Sequence, residues 1–112
     1  MATKEDLYDR AVDHVADGDL EAAVTSYREA LALDPDYADA LEGLSMALAD
    51  LERYEEALVA ARRVVELAPE EQLAYTNVSR IYQRAGDVPK AEEWAAKGRM
   101  LDWKQQLKGT KS

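Results

Sequence analysis

Apolar residues recur along this chain at intervals of three and four, in six short stretches broken by Gly-Asp pairs or proline. That pattern predicts amphipathic helices joined by tight turns. The first stretch opens at Thr3, an N-cap with Asp6 three residues on, and runs to about Asp17. Gly18-Asp19 supplies a turn, and a second helix is expected from Leu20 to about Leu33. Asp34-Pro35-Asp36 ends it, because proline pushes the residue before it out of the helical region. The same segment is expected to cap a third helix, about Tyr37 to Asp50. A fourth runs from about Tyr54 to Leu67 and stops at Ala68-Pro69, which places Glu70 and Glu71 in the first turn of the fifth, where the helix dipole favours acids. The fifth ends near Ala85, Gly86-Asp87 repeats the earlier turn, and Pro89 falls in the first turn of the sixth, where its missing N–H costs little.

The helices themselves repeat. Residues 4–37, 38–71 and 72–105 align on a 34-residue period, and residues 106–112 remain as a tail. Leu7 falls over Leu41 and Tyr75, Ala11 over Ser45 and Ser79, Gly18 over Glu52 and Gly86, Ala23 over Ala57 and Ala91, and Pro35 over Pro69. Self-similarity of this length predicts an all-α, right-handed solenoid of three helical hairpins, in which each hairpin buries its apolar face only by stacking on a neighbour. Residues 1–112 are then expected to form a single domain. Trp103 stands where a third proline would fall, so either the last helix continues or a short capping helix follows to about Leu107, with Lys108 to Ser112 a frayed tail.

Two helices per period, with small and large residues at fixed offsets, resemble the tetratricopeptide repeat family, and the resemblance covers almost the whole chain. Ala11, Ser45, Ser79, Ala23, Ala57 and Ala91 match the family's small positions. A bulky side chain there would push the helix axes apart. Leu7, Leu41, Tyr75, Leu44, Val78, Leu48, Tyr82 and Tyr27 match its larger apolar positions, and Pro35 and Pro69 its closing proline. Departures are Arg10 and His14 in the first helix, which an end repeat tolerates, Ala61 and Ala95 in place of larger residues, and Gly98 and Trp103 in the last repeat.

The resemblance implies a non-catalytic protein-interaction module whose first helices line a concave groove for a peptide. Carried onto this chain, the groove residues are Tyr8, Val12 and Ala16, then Glu42, Met46 and Asp50, then Asn77, Arg80 and Arg84. The family also contains a clamp for chaperone C-termini. Its positions here hold Tyr8, Val12, Gly43, Leu73 and Asn77, so that clamp is absent.

Charge sharpens the expectation. The chain carries a net −9, which disfavours nucleic acid. The imbalance is uneven: residues 1–37 hold three Lys/Arg against ten Asp/Glu, residues 38–71 three against nine, and residues 72–112 eight against four. Arg80 and Arg84, with Asn77 beside them, suit a carboxylate or acidic segment, since guanidinium binds carboxylate bidentately. The competing expectation is that they pair internally with Asp50, Glu42 or Asp39. Tyr8 and Met46 are candidate partner anchors. Trp94, Met100, Trp103 and Leu107 form an apolar set on the last helix, either a fold-back cap over the open end or an association surface. The latter gives the alternative function, a structural scaffold that self-assembles through its ends, although a monomer is favoured.

Catalysis has little footing: there is no Cys, the lone His14 has no motif around it, and no glycine-rich phosphate loop occurs. Asp34-Pro35-Asp36 with Asp39 lacks the glycine and terminal glutamate of a calcium loop. No metal and no cofactor are expected. No run approaches a membrane span, and the acidic N-terminus is unlike a signal peptide, so a soluble cytoplasmic protein is expected.

Overall fold

The computed structural model describes residues 1–109, and its six helices follow the breaks in the sequence: α1 (Lys4–Ala16), α2 (Leu20–Leu33), α3 (Ala38–Asp50), α4 (Tyr54–Leu67), α5 (Gln72–Arg84) and α6 (Val88–Gly109). Successive helices pack as antiparallel pairs, α1 with α2, α3 with α4 and α5 with α6, and the pairs stack through α2 on α3 and α4 on α5. The result is elongated, 49 × 35 × 21 Å. Its radius of gyration is 15.4 Å, against about 13 Å for a compact domain of this length.

The small positions do what the period requires. Ala11, Ala23 and Ala57 have no exposed surface, and Ala91 and Ser45 are nearly as buried. In the third pair the approach is close enough for the Ser79 hydroxyl on α5 to donate to the backbone carbonyl of Ala91 on α6, at 2.7 Å. Leu48 and Val78 are the largest side chains that are fully buried. The stacking faces end in polar groups. Leu44 and Val78 are buried, whereas the matching position in α1 is the exposed Arg10; Val24 and Leu58 are buried, whereas α6 presents the exposed Glu92.

Thr3 caps α1 in a reciprocal box: the Asp6 N–H donates to Thr3 Oγ1 and the Thr3 N–H to Asp6 Oδ2, both at 3.1 Å. Asp19 and Asp87, at matching repeat positions, accept from the Ala22 and Lys90 N–H groups. Two expectations need correction. Asp34-Pro35-Asp36 stops α2 but does not cap α3, whose N-cap is Tyr37 without a side-chain bond. The Asp34 carboxylate is already engaged by the Asp36 N–H and, at 2.6 Å, by the Lys4 ammonium. Glu70 and Glu71 lie outside α5: Pro69 and Glu70 form a turn between the helices, so that Glu71 is the N-cap.

The C-terminal end resolves to one continuous helix rather than a separate or folded-back cap. With no proline to stop it, α6 runs through Trp103, and Lys108 and Gly109 are helical; the remainder of the expected tail, residues 110–112, lies outside the described residues. Gln105 donates to the Glu70 carbonyl at 3.0 Å, tying the extension to the turn before α5. Gly98 is buried where a Cβ would lie 3.4 Å from Tyr75, so it lets α6 approach α5 closely.

The turns closing α1, α3 and α5 share one motif, with the Asp19, Arg53 and Asp87 N–H groups reaching back to the carbonyls of His14, Leu48 and Tyr82. Each requires a left-handed residue. Gly18 and Gly86 supply it at φ 78° and 86°, but the middle turn uses Glu52 at φ 62°. A residue with a Cβ pays about 1–2 kcal/mol in that region, partly offset because glycine loses more freedom on folding. Glu52→Gly is therefore expected to stabilise the fold by roughly 0.5–1 kcal/mol in urea unfolding. No change or a loss would show that Glu52 is unstrained.

Candidate functional site

Helices α3 and α5 expose one side each, and between them lies a cleft of about 110 Å³. Its floor is Ser45, Ala49 and Ile81, all buried. Met46, Asp50, Asn77, Arg80 and Arg84 surround it. Five of the nine groove residues expected from sequence thus converge, because spacings of three and four on each helix put them on one face. The floor was not anticipated: Ser45 reads in sequence as a close-packing position, and Ile81 as one more apolar residue in a helix.

Tyr8, Val12, Ala16 and Glu42 lie outside this cleft. Tyr8 is half-buried, its ring centroid 5.9 Å from that of Tyr27 and 5.6 Å from that of Tyr37. Val12 is exposed on α1. Glu42 is half-buried, and burial pushes its carboxyl pKa above the usual value, with Asp39 and Glu71 adding to the effect.

The two arginines differ. Arg84 donates to Asp50 at 3.0 Å, one repeat period away, with both side chains about half exposed. Such a pair is worth about 0–1 kcal/mol. Arg80 has no carboxylate partner among the described residues. Comparable half-exposed pairs join the first two hairpins, Arg53 with Glu21, Arg28 with Glu56 and Arg63 with Asp36.

The apolar set on α6 divides. Trp94 is not part of an exposed surface: it packs against the core and Tyr75, at 6.2 Å between ring centroids. Met100, Trp103 and Leu107 are exposed. A further open groove, floored by Leu41, Leu44 and Leu48 and bordered by the Arg28–Glu56 pair, was missed because residues read as core also form its floor. Among the described residues no cluster of His, Cys, Asp and Glu is placed to hold a metal, and no helix is long and apolar enough to cross a membrane.

Antiparallel helix pairs stacked through buried alanines define a helical-repeat solenoid. The tetratricopeptide repeat family model matches residues 8–71, more than half of the chain, and the chain belongs to that family. Tetratricopeptide domains are generally non-catalytic protein-binding modules. Among solved structures, a crystal structure of MamA superposes with a TM-score of 0.85 at 21% identity, covering 94% of this chain and 61% of that one. The second tetratricopeptide domain of Spaghetti (RPAP3), bound to the HSP90 peptide SRMEEVD, gives 0.78 at 20% identity over 88% and 92%. The CopN–Scc3 complex gives 0.82 at 16% identity over 97% and 69%. This chain spans about three fifths of the MamA chains it resembles. No curated protein sequence matches it.

Glu42 yields a pH prediction. Because its folded pKa is raised above 4.5, the native state holds that proton more tightly than the unfolded chain, and stability falls as pH rises through the folded value. Glu42→Gln is therefore expected to be slightly more stable than the parent at pH 7, the advantage shrinking below the unfolded pKa. Urea midpoints at both pH values check this, and an equal difference at the two would rule it out.

Proposed function

We propose that this chain is a non-catalytic protein-interaction module that receives an acidic peptide segment in the cleft between α3 and α5. The observation that carries the reading is Arg80. In a chain with 23 acidic and 14 basic side chains, a guanidinium without a carboxylate partner among the described residues stands beside a floor that includes Ala49 and Ile81, with Asn77 and Met46 adjoining. Arg84 is a second guanidinium within the same cleft, restrained by Asp50. A peptide carboxylate would bind Arg80 and compete with Asp50 for Arg84, while its apolar neighbours cover Ile81 and Met46.

The partner class differs from that of the chaperone-binding relatives. A side chain at Gly43, one of the clamp positions, has no room, because its Cβ would overlap the ring of Tyr27. Tyr27 is itself buried against Tyr8. The alternative, end-to-end assembly of copies, has less support, since Arg10 and Glu92 stand where the inner hairpins stack Leu44 and Leu58.

Fluorescence anisotropy with a labelled acidic peptide bearing a free C-terminus tests the reading. Arg80→Glu is expected to weaken binding about tenfold, roughly 1.4 kcal/mol. Asp50→Asn should strengthen it by releasing Arg84, and added salt should weaken it. The heptapeptide SRMEEVD should bind no better than a scrambled acidic heptapeptide. Affinity indifferent to Arg80→Glu would overturn the proposal.

A further inference from the structure

Helix α6 carries two apolar faces. Ala91, Trp94 and Gly98 turn toward α5, and on the opposite side Ala96, Met100, Trp103 and Leu107 follow one another at spacings of four, three and four. Met100 and Trp103 are 56% and 57% exposed. With Leu101, Pro69 and Tyr75, Met100 and Ala96 also border an open groove of about 570 Å³ between α6 and the turn before α5. Helices α2 and α4 end at Leu33 and Leu67, so the outer part of this stripe exists only because α6 runs on to Gly109.

Over fewer than two heptads, those spacings match the seam of a coiled coil, with Ala96 and Trp103 at d and Met100 and Leu107 at a. The flanking e positions are then Lys97 and Lys104, and the g positions Arg99 and Gln106. Neither lysine has a carboxylate partner among the described residues, and Lys97 instead places its ammonium 4.1 Å from the centroid of the Trp94 ring. A second copy of α6 would set these edges against themselves: antiparallel pairing opposes e to e and g to g, and parallel pairing opposes e to g. An anionic membrane is disfavoured as well, because the stripe is narrower than an interfacial helix face.

We propose that the outer face of α6 docks an acidic amphipathic helix of a partner protein. Its apolar seam would cover Met100 and Trp103, and its flanking carboxylates would pair with Lys97 and Lys104. This surface lies on a different helix from the α3–α5 cleft and does not depend on what that cleft binds.

The probe is a labelled helical peptide of about four heptads, leucine at a and d, with glutamate at e and g, alongside a lysine-edged counterpart. Anisotropy should show binding of the glutamate-edged peptide only. Trp103→Ala should abolish it, and Lys97→Glu with Lys104→Glu should weaken it about tenfold or more and transfer preference to the lysine-edged peptide. Arg80→Glu should leave this binding unchanged while impairing the cleft, so the two surfaces fail separately. Circular dichroism confirms that each variant stays helical, and Lys104→Glu alone, in the exposed extension, serves if the double variant does not. The proposal is overturned by no binding of the glutamate-edged probe, by equal binding of both probes, by preferential binding to phosphatidylserine vesicles, or by a Trp103-dependent dimer in sedimentation.

Discussion

The close approach of paired helices at small residues is the constraint on which this structure depends. Half of the buried apolar residues are alanines, among the described residues, so the core is held by near contact of backbones more than by bulk. The Ser79 hydroxyl reaches the backbone carbonyl of Ala91 because nothing larger intervenes. Each pair then sits a fixed step from the next, and equivalent positions come face to face. Asp50 meets Arg84, exactly one period later in sequence, for that reason.

This constraint also explains what could be read from the sequence. The 34-residue period, the breakers and the alanines specify the hairpins, because a period is a statement about stacking and needs no knowledge of rotamers. Thr3 was legible as a cap because capping is local, whereas Asp19, read only as part of a turn, proves to cap α2. Asp34 was not legible in this way, since its carboxylate is claimed by Lys4, thirty residues away, and no local rule sees that partner. Trp94 was misplaced for another reason: with apolar residues on two opposite faces, α6 leaves its rotational phase ambiguous until α5 is in position.

At the site, the faces of α3 and α5 followed from helical spacing, and the pairing state of each arginine did not. Arg80 and Arg84 sit four residues apart on one helix, yet only the second finds a carboxylate. The difference lies in which residue of the preceding hairpin stands opposite: Met46 holds the repeat position matching Arg80, and Asp50 the one matching Arg84. The period therefore carried this distinction in principle, through residues 34 apart rather than through neighbours.

The distribution of charge bears on how two binding surfaces can share so small a molecule. Cross-hairpin pairs engage Arg28, Arg53, Arg63 and Arg84. Among the described residues, the cations outside any ion pair are Arg10 in the first hairpin, Arg62 in the second, and Arg80, Lys97, Arg99, Lys104 and Lys108 in the last. An acidic partner would be repelled by the first two hairpins and drawn to the third. The long axis is 49 Å, whereas screening at physiological salt acts over about 8 Å. The first hairpin therefore cannot cancel the local field on the outer face of α6. At the cleft the second hairpin is within contact distance, and Asp50, 3.0 Å from Arg84, competes directly with an acidic partner.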